Sequence, residues 1–126
     1  MREILFRGKR SVRYCPDRDW TYGVPFIDHE GDCIFKTDIT ERVVDPETVG
    51  QYTGLTDKNG KKIFEGDILN GLLSLHPDRR IFQVGYEDNG FYFFDEDEVG
   101  WHPDHIVDYE VIGNIHDNPK LLKGGE

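Results

Sequence analysis

Phe64-Glu65-Gly66-Asp67 sets two carboxylates two residues apart. On a strand that spacing projects both from one face. Two like charges held close also push one carboxyl pKa upward, toward the range useful for acid–base catalysis. Glu65 and Asp67 are therefore the candidates for carboxylate chemistry. Gly66 works against a dyad, because glycine inside a strand pattern marks a bulge or bend that turns the flanking side chains apart. An Asp at such a bend commonly accepts backbone N–H groups, and that is the reading adopted for Asp67. No catalytic assignment follows. Ser11 and Ser74 are the only serines, with no Gly-x-Ser-x-Gly elbow around either. Gly54, Gly60 and Gly66 recur every six residues, but between strands rather than in the strand-to-helix setting of a phosphate loop.

Five histidines and two cysteines raise the question of a metal. His102-Pro103-Asp104-His105 spaces two imidazoles three apart, yet Pro103 holds His102 extended and off a shared helical face. His29 and Cys33 flank a turn containing Gly31. Structural zinc takes four ligands, usually in close pairs, and no such pairing occurs here. No metal and no cofactor is expected. Cys15 and Cys33 are read as reduced thiols, too few for a disulfide framework.

The charges are unevenly spread. Residues 1–20 carry Arg2, Arg7, Lys9, Arg10, Arg13 and Arg18 against Glu3, Asp17 and Asp19. Residues 81–117 carry ten carboxylates and no Lys or Arg, equal to the net charge of −10 on the whole chain. Such a surface repels phosphate backbones and releases no counterions on meeting them, so nucleic acid is not an expected partner. Asp95-Glu96-Asp97-Glu98 lacks the glycine and spacing of a calcium loop. Its simplest reading is a solvated loop; its functional reading is an outward-facing docking surface for a basic partner. The basic N-terminus is the corresponding candidate for a phosphate contact.

The elements that must position these groups are strands. Short runs rich in Ile, Val, Phe, Tyr and Thr alternate with frequent Gly and Pro, and no stretch keeps a 3.6-residue apolar period. Strands are expected at 4–8, 20–27, 33–35, 51–56, 61–65, 82–86, 91–94 and 109–115. Asn59-Gly60 and Asn89-Gly90 each close a hairpin, the first through a two-residue turn, whereas Gly31 belongs to a looser loop. Asp45 caps a single helical turn that Pro46 starts. Eight Phe, six Tyr and two Trp supply the core of a chain of this length. No apolar run approaches the ~20 residues of a membrane span, and three apolar residues near the start fall short of a signal peptide. A cytoplasmic location is expected. Charges and Pro near 39–46 mark the boundary between an N-terminal lobe (1–44) and a second lobe (45–126).

The run from Asp45 to Leu69 (DPETVGQYTGLTDKNGKKIFEGDIL) resembles the signature block of the YopX family of phage and prophage proteins. The tail from Tyr109 to Pro119 (YEVIGNIHDNP), with Leu121 and Leu122, resembles that family's C-terminal motif. Phe6-Arg7-Gly8-Lys9 and Trp20-Thr21-Tyr22-Gly23 also fit. The resemblance implies an all-β, barrel-like fold, a phage or prophage origin and a homo-oligomer, and it carries no activity with it. Residues 71–80 match no family motif and are read as a variable loop. The function expected is that of a non-enzymatic phage accessory protein acting on a host or phage protein in the host bacterial cytoplasm. An enzyme using Glu65 and Asp67, or a nucleic-acid-associated factor using the basic N-terminus, is the alternative.

Overall fold

The computed structural model of the chain describes residues 4–11, 20–36, 41–75 and 78–123. Among them the regular structure is β, with three short 3₁₀ turns at Pro46–Thr48, Pro103–His105 and Pro119–Lys123. The chain divides into two compact units between Tyr52 and Thr53, beyond the 44/45 division expected.

The first unit holds β1 (Phe6–Lys9), β2 (Trp20–Gly23), β3 (Pro25–Ile27), β4 (Cys33–Lys36) and β5 (Glu41–Val44). The run expected as one strand over 20–27 is broken at Val24, and its halves join different sheets: β2 lies beside β1, while β3 edges the order β3-β4-β5. Pro25 opens that edge strand, where its missing N–H breaks no ladder. The stretch read as a boundary contains β5, because Val43 and Val44 complete the pairing with Ile34 and Cys33. Phe35, Cys33 and Val44 form the core of this unit, backed by Phe6 and Val49. Asp45 accepts the Glu47 N–H at 3.1 Å, capping the one-turn helix as its sequence predicts.

β6 (Gly50–Thr56) carries the chain from one unit to the other. Gly50 and Gln51 pair with β1, and the later residues neighbour β7 (Lys62–Phe64). The second unit continues with β8 (Asp67–Leu73), β9 (Arg79–Glu87), β10 (Gly90–Phe94), β11 (Gly100–Trp101) and β12 (Ile106–Asn114), in the order β11-β10-β9-β8-β12. The strand orders are linear, so the sheets are open and do not close into a barrel. Ile63, Leu69, Leu73, Phe82, Val84, Phe93 and Ile106 form its core. Residues 71–80 are not a loop throughout: 71–73 end β8 and 79–80 begin β9, paired as Gly71–Arg80 and Leu72–Arg79. The alternation of Leu69, Gly71 and Leu73 inward makes this a strand.

Three loops share one construction. In the loop after β3, Asp28 accepts the N–H groups of Glu30 and Asp32, both at 2.9 Å. Between β6 and β7, Asp57 accepts those of Asn59 and Lys61, both at 2.9 Å. Between β10 and β11, Asp95 accepts those of Asp97 and Val99, at 2.9 and 3.0 Å. In each loop the residue three after the Asp has a left-handed backbone: Gly31 (φ 87), Gly60 (φ 82) and Glu98 (φ 62). The Asn59-Gly60 hairpin therefore has a three-residue loop, not two, since Asp57 and Lys61 close it with an N–H to O bond of 2.8 Å. Gly31 sits in a loop of the same construction, not a looser one. The two-residue turn is at Asn89-Gly90, where Asp88 (φ 50) and Asn89 (φ 66) are the turn residues and Gly90 already pairs in β10.

Candidate partner-binding groove

Phe82 and Val84 of β9 point into the core, so Ile81, Gln83, Gly85 and Glu87 face the opposite side of the sheet. The β9/β10 register sets Gln83 opposite Phe94 and Gly85 opposite Tyr92, which puts Phe94 on the same outer face. A Cβ on Gly85 would stand 2.8 Å from the Phe94 ring, and one on Gly100 would stand 2.9 Å from it. Real carbon atoms do not approach that closely, so two glycines on the flanking strands cradle the Phe94 ring against the sheet.

This face opens into a groove of about 620 Å³. Ile81, Phe94 and Leu122 supply its apolar lining, with Gln83 among them. Carboxylates come from three places: Glu65 on the β7–β8 turn, Glu87 at the end of β9, and Asp95, Glu96 and Glu98 on the β10–β11 loop. Among the described residues no Lys or Arg lines it. Tyr86 borders the groove only through its place on β9: by alternation its ring lies on the side of Phe82 and Val84, where it meets the Phe91 ring edge-on with centroids 5.0 Å apart, so the aromatic floor is Phe94. An aromatic floor with a carboxylate rim suits a cation, since ring faces and carboxylates both attract one.

Asp95 departs from the outward-facing expectation for its run. Its side chain is 5% exposed. Besides the two loop N–H groups it accepts the Trp101 indole N–H at 2.9 Å, and Arg80 Nη1 lies 3.8 Å away. Burial pushes this carboxyl up, but the Trp101, Val99 and Asp97 donors and the Arg80 charge outweigh it and hold Asp95 below the ordinary carboxylate value. Trp101 and Arg80 lie outside the four-residue run, which is why the run alone does not reveal them. Glu96, Asp97 and Glu98 are exposed.

Glu65 and Asp67 do not form a dyad. They lie at either end of a tight turn whose second residue, Gly66, has φ 93. Glu65 borders the groove, while Asp67 is 1% exposed and accepts the Phe64 N–H at 2.8 Å. His102 Nδ1 accepts the Asp104 N–H, and the His102 and His105 ring centroids are 6.5 Å apart. Among the described residues no three His, Cys, Asp or Glu side chains come together as a metal site. Cys33 is buried, and burial raises its thiol pKa; Cys15 lies outside the described residues. Phe94, Tyr86, Gln83 and Glu87 were not singled out by the sequence. The signal for Phe94 is the glycine on each neighbouring strand, legible only once the register is known.

No curated protein matches the chain. Among solved structures it is similar to the crystal structure of protein EF1440 from Enterococcus faecalis. The two are 26% identical over 97% of this chain and 99% of that one, with a TM-score of 0.60. The family model described as YopX protein matches residues 27–123, which takes in the β9–β10 face, its glycine cradle and the run from Asp45 to Leu69. The chain belongs to the YopX protein family.

Proposed function

We propose that this chain is a phage or prophage accessory protein that acts by binding rather than by chemistry, holding a Lys- or Arg-bearing segment of a host or phage protein in the acidic groove. The observation that carries the reading is the groove itself: the Phe94 floor, cradled by Gly85 and Gly100, under a rim of Glu65, Glu87, Glu96 and Glu98. A cationic side chain laid on such a ring gains cation–π attraction, and the rim carboxylates add charge-assisted bonds. Rim charge of one sign also speeds encounter with a basic partner and makes binding salt-sensitive. Self-association in the host bacterial cytoplasm belongs to the same reading, with the family resemblance as its support. The separation of Glu65 from the buried Asp67 weighs against an enzyme built on that pair.

The test compares wild type with a variant carrying Glu65→Gln, Glu87→Gln, Glu96→Gln and Glu98→Gln together. Asp95 is left in place because it holds the loop. Binding of a labelled Arg- and Lys-rich peptide is read by fluorescence anisotropy at low and high salt, alongside capture from phage-infected host cells. Wild type should bind more weakly as salt rises, and the variant should lose most of the low-salt binding while unfolding at an unchanged temperature. Equal binding by both proteins, with the same salt response, would remove the groove from the function.

A further inference from the structure

The rim glutamates of the acidic groove fall into two pairs, one toward each end. The groove follows β9, since Ile81, Gln83, Gly85 and Glu87 of that strand line it. The β9/β10 register sets Gln83 opposite Phe94, so the loop that follows Phe94 continues level with Phe82 and Ile81. Glu96 and Glu98 of that loop mark one end. Glu87, the last residue of β9, marks the other. Glu65 stands with it. The next residue, Gly66, donates its N–H to the Val84 carbonyl at 2.9 Å, which sets Glu65 beside the Gly85–Glu87 end of the strand.

From the level of Phe82 to that of Tyr86 the two pairs are about four residues apart, roughly 13 Å at the rise of a strand. The Phe94 ring lies toward the first pair, against Gly85 and Gly100. Gln83 lies between the pairs. Its amide holds both an acceptor and N–H donors, so it can bond the N–H or C=O of a main chain laid over it. An α-helix spends those main-chain groups on itself. A polyamine carries donors only and has nothing to accept the Gln83 N–H. An extended peptide is the occupant that uses the carboxylates, the ring and the amide together.

We propose, on the footing that the acidic groove holds a basic segment, that it selects an extended one with two basic residues four apart. One cationic side chain lies on the Phe94 ring against Glu96 and Glu98, and the other against Glu65 and Glu87. Ring face and carboxylates act on the first cation together, and carboxylates alone on the second. Successive side chains of an extended segment point to opposite sides, so residues i and i+4 face the groove together about 13 Å apart. A spacing of i+3 or i+5 turns the second cation to solvent. A spacing of i+2 faces inward but spans only about 7 Å. In a helix the same separation takes about eight residues at about 1.5 Å each.

The experiment is fluorescence anisotropy of labelled Ser- and Thr-based peptides against the full chain, each with two arginines at spacings from two to eight residues. All the peptides share one charge and one composition, so attraction by net charge alone gives a flat series. The four-residue spacing should bind tightest, by about fivefold over three and five. Glu96→Gln with Glu98→Gln, and separately Glu65→Gln with Glu87→Gln, should each abolish that preference at an unchanged unfolding temperature. Spermine should compete more weakly than the unlabelled four-spaced peptide. An optimum near eight residues, as a helix requires, would overturn the proposal. So would spermine competing as well as the peptide, or a four-residue preference that survives in both paired variants. A flat series still lost in the variant with all four glutamates changed would remove the spacing and leave the acidic groove's hold on basic segments in place. No binding by any peptide would remove both.

Discussion

Glu98 N–H donates to the Asp95 backbone carbonyl at 3.0 Å while Glu98 itself sits in the left-handed region at φ 62. The same bond joins Gly60 to Asp57 at 2.9 Å and Gly31 to Asp28 at 3.1 Å. Two of the three equivalent positions are glycine, which enters that region without a Cβ penalty. The third is a glutamate and bears the penalty.

Glu98→Gly should therefore stabilise the chain by about 0.5–1 kcal/mol, the relief of left-handed strain less glycine's entropy cost. Gly31→Val and Gly60→Val should each destabilise by about 1–2 kcal/mol, and by similar amounts, because their loops are alike and open space surrounds both. Urea denaturation measures all three. A neutral Glu98→Gly, or a harmless Gly31→Val beside a costly Gly60→Val, would contradict the shared geometry.

Asp57 gives the pH dependence. Burial pushes its carboxyl up, but the backbone N–H groups of Val111, Lys61 and Asn59, with the Lys61 charge, hold it below the ordinary value. With the folded pKa depressed, the unfolded chain binds more protons as pH falls. The contribution is complete above the unfolded value near 3.9 and is lost as pH falls through the folded one. Wild type should lose more stability than Asp57→Asn between neutrality and about pH 3. At neutral pH, Asp57→Asn should cost about 1–3 kcal/mol, since the bond from Val111 N–H at 2.9 Å ties the loop to β12. Parallel stability curves for the two proteins would refute this.

The Phe94 cradle is testable by a double-mutant cycle. Gly85→Ala places a methyl 2.8 Å from the ring and should cost about 1–3 kcal/mol. In a Phe94→Leu background the same change should cost much less, giving a coupling of about 1 kcal/mol or more. Additive losses would show that the ring moves aside freely.

Local chemistry was the legible part. The strands follow from residue type, the cap at Asp45 from Pro46 behind it, and both Asn-Gly hairpins from their turn residues. Even so, Asn-Gly reads the same in two different loops: Gly60 carries the left-handed backbone in one, while Asp88 and Asn89 carry it in the other. What decides is the partner strand, which the dipeptide does not contain. The third Asp loop escaped because Glu98 stands where the other two have glycine. Asp95 departs from its run because Arg80 and Trp101 reach it from other strands, and β8 is absent from the expected strands because Asn70 and the small Gly71 interrupt its apolar pattern. The groove was half legible: its carboxylates stood out as charge, but its floor exists only through pairing of β9, β10 and β11.

The two tryptophans sit one in each unit, and Trp101 adjoins the acidic groove. Trp20 lies against Arg7 and Lys9, and Trp101 donates to Asp95 on the wall of the acidic groove. The chain thus carries two native optical reporters with separate neighbourhoods. Replacing Trp20 with Phe leaves a single emitter, Trp101, whose wavelength and quenching follow the acidic groove alone, so its occupancy can be read without an added label.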